Sequence, residues 1–268
     1  MGAIGTGELA FRGAEDPAPD AARTIETPAV PARVAAHPGQ TVALTLNRFD
    51  ARGVAWMIPQ MQLSKRALAR VPGARFSFLM GTGGGAGFST RPNLTVWTLL
   101  TAFETGAQAA ASPGAPPLRA RARRATETMT VFFAPLSSRG AWAGHGFEPG
   151  PDPDPRGPVA ALTRASVRGR ALVPFWRRVP AISDALVAGS EARLAIGMGE
   201  VPYLHQVTFS IWEDVAAMRR FAGGAAHGEA ARMVYRHGWF SEELFARFRV
   251  LGAIGRWNGR AAADVVGL

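Results

Sequence analysis

Tyr203, His205, Val207, Phe209 and Ile211 alternate with Leu204, Gln206, Thr208, Ser210 and Trp212, the period-two pattern of a strand with two unlike faces. Shorter apolar runs predict strands over 42–49, 75–83, 93–103 and 127–136, with a helix over 54–71 after the first and a broken helical stretch before the last. The order then recurs: strand 159–167, a helix around 175–187, strands 191–199 and 203–212, a helical region from 213 to about 236, and strand 243–251. Phe175, Val179, Ile182 and Leu186 fall on one face of the second-half helix, which Pro180 should kink. Between the halves, the run from Glu148 to Pro158 holds five prolines and can continue neither a helix nor a central strand, so it reads as a linker.

Local matches make the two halves a duplication. Residues 74–81 parallel 191–199, Thr101-Ala102-Phe103-Glu104 parallels Ser210-Ile211-Trp212-Glu213, and each half closes on Gly-x-Trp, at Gly140–Trp142 and Gly255–Trp257. Strand, helix, strand, strand, helix, strand is the ferredoxin-like unit, whose helices cover one sheet face and leave the other apolar. Two tandem copies can cover each other sheet against sheet, which predicts an α+β fold: a pseudo-twofold dimeric α+β barrel within one chain, with a ligand cavity between a sheet and its helices or between the sheets. The alternative is two independent domains on a linker. The expected divisions are a flexible tail over 1–40, a first half over 41–147, the linker over 148–158, a second half over 159–258 and a tail over 259–268.

Composition narrows the chemistry. There is no cysteine, which excludes thiolate-ligated haem, iron–sulfur clusters and cysteine zinc sites, and makes histidine the expected ligand. Three of the five histidines, His205, His227 and His237, lie close together in the second half. His227 follows the Gly223-Gly224 break and opens a helical stretch with Ala230, Ala231 and Val234 on its face; the matching stretch of the first half has no histidine and is broken by prolines. A histidine there is either a cofactor ligand or a satisfied core residue. His205 is either a distal polar group or the cap of a sheet edge. The loop Gly81-Thr82-Gly83-Gly84-Gly85-Ala86-Gly87 has dinucleotide-like spacing but runs into a strand, whereas phosphate cradling needs a helix N-terminus. It is expected to be a hairpin loop.

The net charge of +10 is carried almost wholly by arginine, since Lys65 is the only lysine. Codon bias explains that without a partner; nucleic acid, an anionic membrane surface or an acidic ligand such as haem propionates are the sharper readings. No nucleic-acid motif accompanies the charge, so no nucleic-acid partner is expected. Arg119, Arg121, Arg123 and Arg124 form the densest cluster and read as a solvated face. With neither a secretory start nor an apolar run of about 18 residues, the cytoplasm is the expected compartment, and the charge is compatible with peripheral contact at the inner membrane.

Several segments together resemble the spheroidene monooxygenase family, the carotenoid 2-ketolases of purple photosynthetic bacteria. They are Gly87-Phe88-Ser89-Thr90-Arg91-Pro92-Asn93, Ala161-Leu162-Thr163-Arg164-Ala165, Phe175-Trp176-Arg177-Arg178-Val179-Pro180, Gly199-Glu200-Val201-Pro202, His205 to Trp212, and Gly238-Trp239-Phe240 with Arg247-Phe248-Arg249-Val250-Leu251. The family is similar to haem-binding dimeric α+β barrels in which a helix histidine ligates iron, and that role carries over to His227, with His205 as the alternative ligand. The resemblance then implies that Phe209, Trp212, Arg232 and Trp239 join His227 around haem b, and that His205 and Gln206 act on the distal side. It also implies O2 as co-substrate, a ferredoxin-type electron donor, and ketone formation at C-2 of an acyclic, spheroidene-like carotenoid. Burying ten chain carbons contributes about 8 kcal/mol against about 1 kcal/mol for one hydrogen bond, so few polar substrate groups are expected. Two rival readings keep the fold and change the chemistry. One is a haem enzyme oxidising or dehydrating another small natural product, and the other is a haem-binding protein without turnover.

Overall fold

Each half builds a four-stranded antiparallel sheet. The first comprises β1 (Thr41–Arg48), β2 (Ala74–Gly83), β3 (Pro92–Phe103) and β4 (Glu127–Gly140); the second comprises β5 (Val159–Val167), β6 (Ala192–Val201), β7 (His205–Trp212) and β8 (Phe240–Trp257). The computed structural model describes residues 28–84, 91–150, 156–181, 192–201, 203–224, 232–233 and 236–268. Strand order is β4-β1-β3-β2 in one sheet and β6-β7-β5-β8 in the other; β2 pairs with β6 and β4 with β8, so the eight strands close into a barrel without a free edge. A short β9 (Arg260–Ala261) turns back on β8.

The pseudo-twofold shows in the register of the β4–β8 seam. Met129 faces Gly255 and Gly140 faces Leu244, so the two crossings interchange under a shift of 115 residues. Both glycines have φ near +87°, at 86° and 88°, and a Cβ on either would meet a carbonyl oxygen at 2.1 Å, that of Glu243 for Gly140 and of Thr128 for Gly255. The paired Gly-x-Trp motifs therefore mark the two places where one sheet crosses onto the other, and only glycine fits there.

Alternation fills the barrel. Val42, Leu44 and Leu46 of β1, Met129, Val131 and Phe133 of β4, Ala160 and Leu162 of β5, Val207, Phe209 and Ile211 of β7, and Leu244, Ala246 and Phe248 of β8 form one buried cluster. One end is closed by the turn after β4. Trp142 there is 1% exposed, stacks on Phe78 with ring centroids 3.9 Å apart, and donates its indole N–H to Glu200 Oε2 at 2.8 Å. Arg164, buried beside it, pairs with Glu242 and lies 3.9 Å from Glu200.

Around the first sheet lie α1 (Ala32–Ala35), α2 (Ala51–Leu63), α3 (Lys65–Leu68), α4 (Gly106–Ala111) and α5 (Pro116–Arg124); the second carries α6 (Leu172–Trp176) and α7 (Val215–Ala222), and α8 (Ala262–Val266) follows β9. Asp50 and Asp214 cap α2 and α7, accepting from the N–H groups of Gly53 at 2.8 Å and Ala217 at 2.7 Å.

Three expectations need correction. The tail assigned to 1–40 ends earlier, because Val34 of α1 is wholly buried against Ala109, Leu251 and neighbours. The tail assigned to 259–268 is folded, because Ala262, Val265 and Val266 join the barrel core. Arg121 is not on a solvated face: it is 3% exposed, donates to the Pro117 carbonyl at 2.9 Å, and burial pushes its pKa down to about 10. Residues 182–187 of the second-half helix, the glycine-rich loop beyond Gly84, and His227 lie outside the described residues.

Glu127 ties the barrel seam to the turn after β8. It accepts from the N–H of Gly259 at 2.8 Å and of Asn258 at 3.1 Å, and pairs with Arg48 at 3.0 Å. The Gly259 bond, with help from Arg48 and Asn258, holds its carboxyl below the ordinary 4.5. A lowered folded-state pKa contributes stability above the unfolded value that is lost as pH falls through the folded one. Glu127→Gln is therefore expected to destabilise the protein by about 1–2 kcal/mol at neutral pH. In urea titrations the gap to the parent protein should close as the solution becomes strongly acidic.

Candidate functional site

The two sheets differ on the faces they turn to their helices. In the first, Leu99 and Phe103 of β3 and Phe132 of β4 pack with Val34, Leu68, Val71, Ala109 and Leu118 and leave the helix layer filled. In the second, Thr208 and Arg247 stand where the first has Leu99 and Phe132, while Trp212 stands for Phe103. Thr45 faces Leu99 where Thr163 faces Thr208, and Asn47 faces Trp97 where Ala165 faces Gln206. What the duplication filled on one side it left hollow on the other: a cavity of about 1090 Å³ lies over the second sheet. Sites for small molecules and cofactors run from roughly 300 to 1,000 Å³, so this is a large one.

Its floor is Ala161, Thr163 and Ala165 of β5, Gly197 and Gly199 of β6, and Gln206, Thr208 and Ser210 of β7. A Cβ on Gly199 would meet the His205 carbonyl oxygen at 2.7 Å, so the β6–β7 pairing requires a bare position there. Phe175, Trp176 and Val179 wall one side with Trp239 and Phe240; Trp212, Met218, Phe221 and Ala222 wall another. Aromatic contacts fix these walls, Phe175 to Phe240 at 5.8 Å and Trp212 to Phe221 at 5.1 Å between centroids, with the Trp212 indole donating to Ser210 Oγ at 2.9 Å. Met61, Leu94 and Trp97 reach in from the first half.

Charge in the lining is one-sided. Among the described residues Arg91, Arg139, Arg178, Arg219 and Arg247 contribute to it against one acid, Glu200. Arg178 is oriented by its bond to the Pro174 carbonyl at 2.9 Å and lies 5.2 Å over the Trp239 ring. A greasy, flat-floored hollow lined in part by arginines suits a large apolar molecule that also carries carboxylates.

The residues singled out from sequence divide between two compartments. Gln206, Trp212 and Trp239 line the cavity. Phe209 does not: it lies in the barrel core, 5.3 Å from Phe133, and His205 shares its side of β7 by alternation. Arg232 is exposed, and His227 is outside the described residues. Of the other histidines, none lines the cavity; His145 stacks on Phe76 at 4.7 Å, and His237 on Trp239 at 5.9 Å. Among the described residues no group of three or more His, Asp or Glu is placed to hold a metal ion, whereas haem asks the protein for one axial ligand. Sequence reasoning missed the small-residue floor and the lining arginines. The signal for the floor was present in Ala165 and Gly197, and it becomes legible only when they are set beside their first-half counterparts, Asn47 and Leu79.

Comparisons with known proteins are consistent with this geometry. No family model matches the chain. It is 45% identical over 224 residues to a spheroidene monooxygenase of Rhodobacter capsulatus, covering 81% of this chain and 93% of the relative. The spheroidene monooxygenase of Cereibacter sphaeroides is 42% identical over 229 residues, 82% of this chain and 70% of the relative. Among solved structures, an aldoxime dehydratase in complex with butyraldoxime is similar with a TM-score of 0.56 at 11% identity, covering 85% of this chain and 86% of that one, a likeness of fold alone.

Proposed function

The chain belongs to the spheroidene monooxygenase family, and from that premise we propose that it is a haem-dependent monooxygenase converting a methylene at C-2 of an acyclic carotenoid to a ketone. The observation that carries this reading is the apolar hollow over the second sheet, large enough for a macrocycle and a polyene, beside a first half whose described helix layer is packed with apolar side chains.

Haem, when bound, supplies the activation of O2. The residues that would hold it are His227 as iron ligand, Trp212 and Trp239 at the ring, and the arginines of the cavity lining, with Arg232, at the carboxylates. Met61, Leu94, Phe175, Val179 and Phe221 keep water from the reacting methylene and hold the polyene by apolar contact alone. Gln206, Thr208 and Ser210 are the hydrogen-bonding groups of the floor; we assign them to orienting the oxygen gained by the substrate. Each hydroxylation consumes one O2, two electrons and two protons and releases one water. Two at the same carbon give a geminal diol, which loses water to the ketone. A ferredoxin-type protein is the proposed source of the electrons.

The test is product analysis with haem-loaded protein, a reductant, O2 and spheroidene. A product that has gained one oxygen and lost two hydrogens supports the reading; unchanged carotenoid beside an intact haem spectrum points to another substrate. Thr208→Trp fills the floor with a side chain the hollow can accept without displacing core residues, so thermal stability should stay near that of the parent. Carotenoid turnover should fall by about 100-fold or more, a loss of about 2.7 kcal/mol in transition-state stabilisation.

A further inference from the structure

Of the eight large apolar side chains exposed among the described residues, six lie on segments that line the cavity, Leu63 and Leu268 being the others. Leu94 and Tyr203 line the cavity and are half exposed. Val201 and Leu204 flank Tyr203, Val173 on α6 precedes the lining residues Phe175 and Trp176, and Ile58 lies one helical turn before Met61 on α2. Val173 is 61% exposed and Ile58 52%, although each sits beside residues that turn into the cavity. Tyr203 is held in the left-handed region at φ 65°, where its carbonyl accepts from the Trp176 indole at 3.1 Å and the two rings meet edge to face at 5.8 Å. A bulky residue in that conformation is a position the surrounding structure has to enforce.

Charge follows the same border. The segments that carry this rim, residues 51–61, 91–97, 168–181 and 199–206, hold six basic residues and one acid, a net +5. Exposed aliphatic tips ringed by guanidinium groups are the composition of a surface that enters the headgroup boundary of an anionic bilayer. Among the described residues no helix is long and apolar enough to cross a membrane. We propose that this rim docks on an anionic lipid surface and that the lipophilic substrate passes from the bilayer directly into the cavity. The inference rests on the cavity being a site for a hydrocarbon ligand, and it names the route by which such a ligand arrives. A protein seated on the same rim would close the mouth, whereas a bilayer opens it to a pool of dissolved substrate.

Flotation of the full chain with vesicles tests this. Binding to vesicles of phosphatidylcholine with phosphatidylglycerol should exceed binding to phosphatidylcholine alone by about tenfold or more and should weaken at about 1 M salt, where screening shortens to roughly 3 Å. Val173→Asp and Leu204→Asp should each lower vesicle binding by about tenfold. Arg170→Gln with Arg177→Gln should remove most of the preference for anionic lipid without altering the folded state. Carotenoid binding in detergent, measured in parallel, separates the two ideas: a chain that takes up carotenoid from micelles yet ignores both vesicle types overturns the docking surface and leaves the cavity intact. Equal binding of parent and variants to neutral and anionic vesicles also overturns it. So does a concentration-dependent dimer that the two aspartate variants dissolve, because a second copy would then cover the rim.

Discussion

His227→Ala is expected to abolish the Soret absorbance that the parent protein acquires on titration with haem, and with it all carotenoid turnover. His227 is one of five histidines in the chain. His205 shares the strand face of Val207, Phe209 and Ile211, which point into the barrel; His145 packs on Phe76; and His237 is exposed. Burial and the nearby Arg249 hold the His37 pKa below its ordinary value, in the filled half of the molecule. This distribution supports His227 as the axial ligand. Losing an outer-shell partner of a metal site costs roughly 10–100-fold in affinity, and losing the ligand itself should cost more. Imidazole added to the alanine variant should restore part of the absorbance, while His205→Ala and His237→Ala should leave it in place. An unchanged Soret band in His227→Ala would move the ligand elsewhere.

The second large effect is on stability alone. Trp142→Ala should cost about 3–5 kcal/mol, the range for removing a large buried aromatic side chain. It deletes the stack on Phe78, opens a void at the barrel end, and leaves Glu200 without its 2.8 Å donor beside the buried Arg164. Trp142→Phe keeps most of the packing and should lose less, mainly the hydrogen bond, at about 1 kcal/mol. Urea denaturation measures both. Because Trp142 faces the barrel core and not the cavity, haem titration of the folded Trp142→Phe variant should match that of the parent. A large change in haem affinity would mean that the barrel interior and the cavity are energetically one compartment.

The duplication was legible because it is written in order and in rare residues. The repeated succession of elements, the shared Gly-x-Trp and the contrast between the two faces of residues 203–212 all survive into the barrel. Which face of β7 meets the cavity was not legible. Phe209 is expected beside the cofactor until the first half shows the outer face packed by Leu99 and the inner face shared by both sheets. Short elements were missed for a different reason. The four residues of α1 and the five of α8 are too few to display a helical period, and their burial depends on contacts with strands far away in sequence. Arg121 was misplaced because a run of arginines carries no mark of the one that faces inward, and its stem can lie in the core as an aliphatic chain. The pairing of Arg164 with Glu242 and Glu200 joins three strands and has no sequence-local signature.

A crystal structure of the protein loaded with haem and carotenoid tests the central claim most directly. The account predicts density for both over the floor formed by Ala165, Gly197, Gly199 and Thr208, bounded by Trp212 and Trp239, with an unchanged first half. Density inside the barrel beside Phe133 and Phe209, or under the helices of the first half, would contradict it.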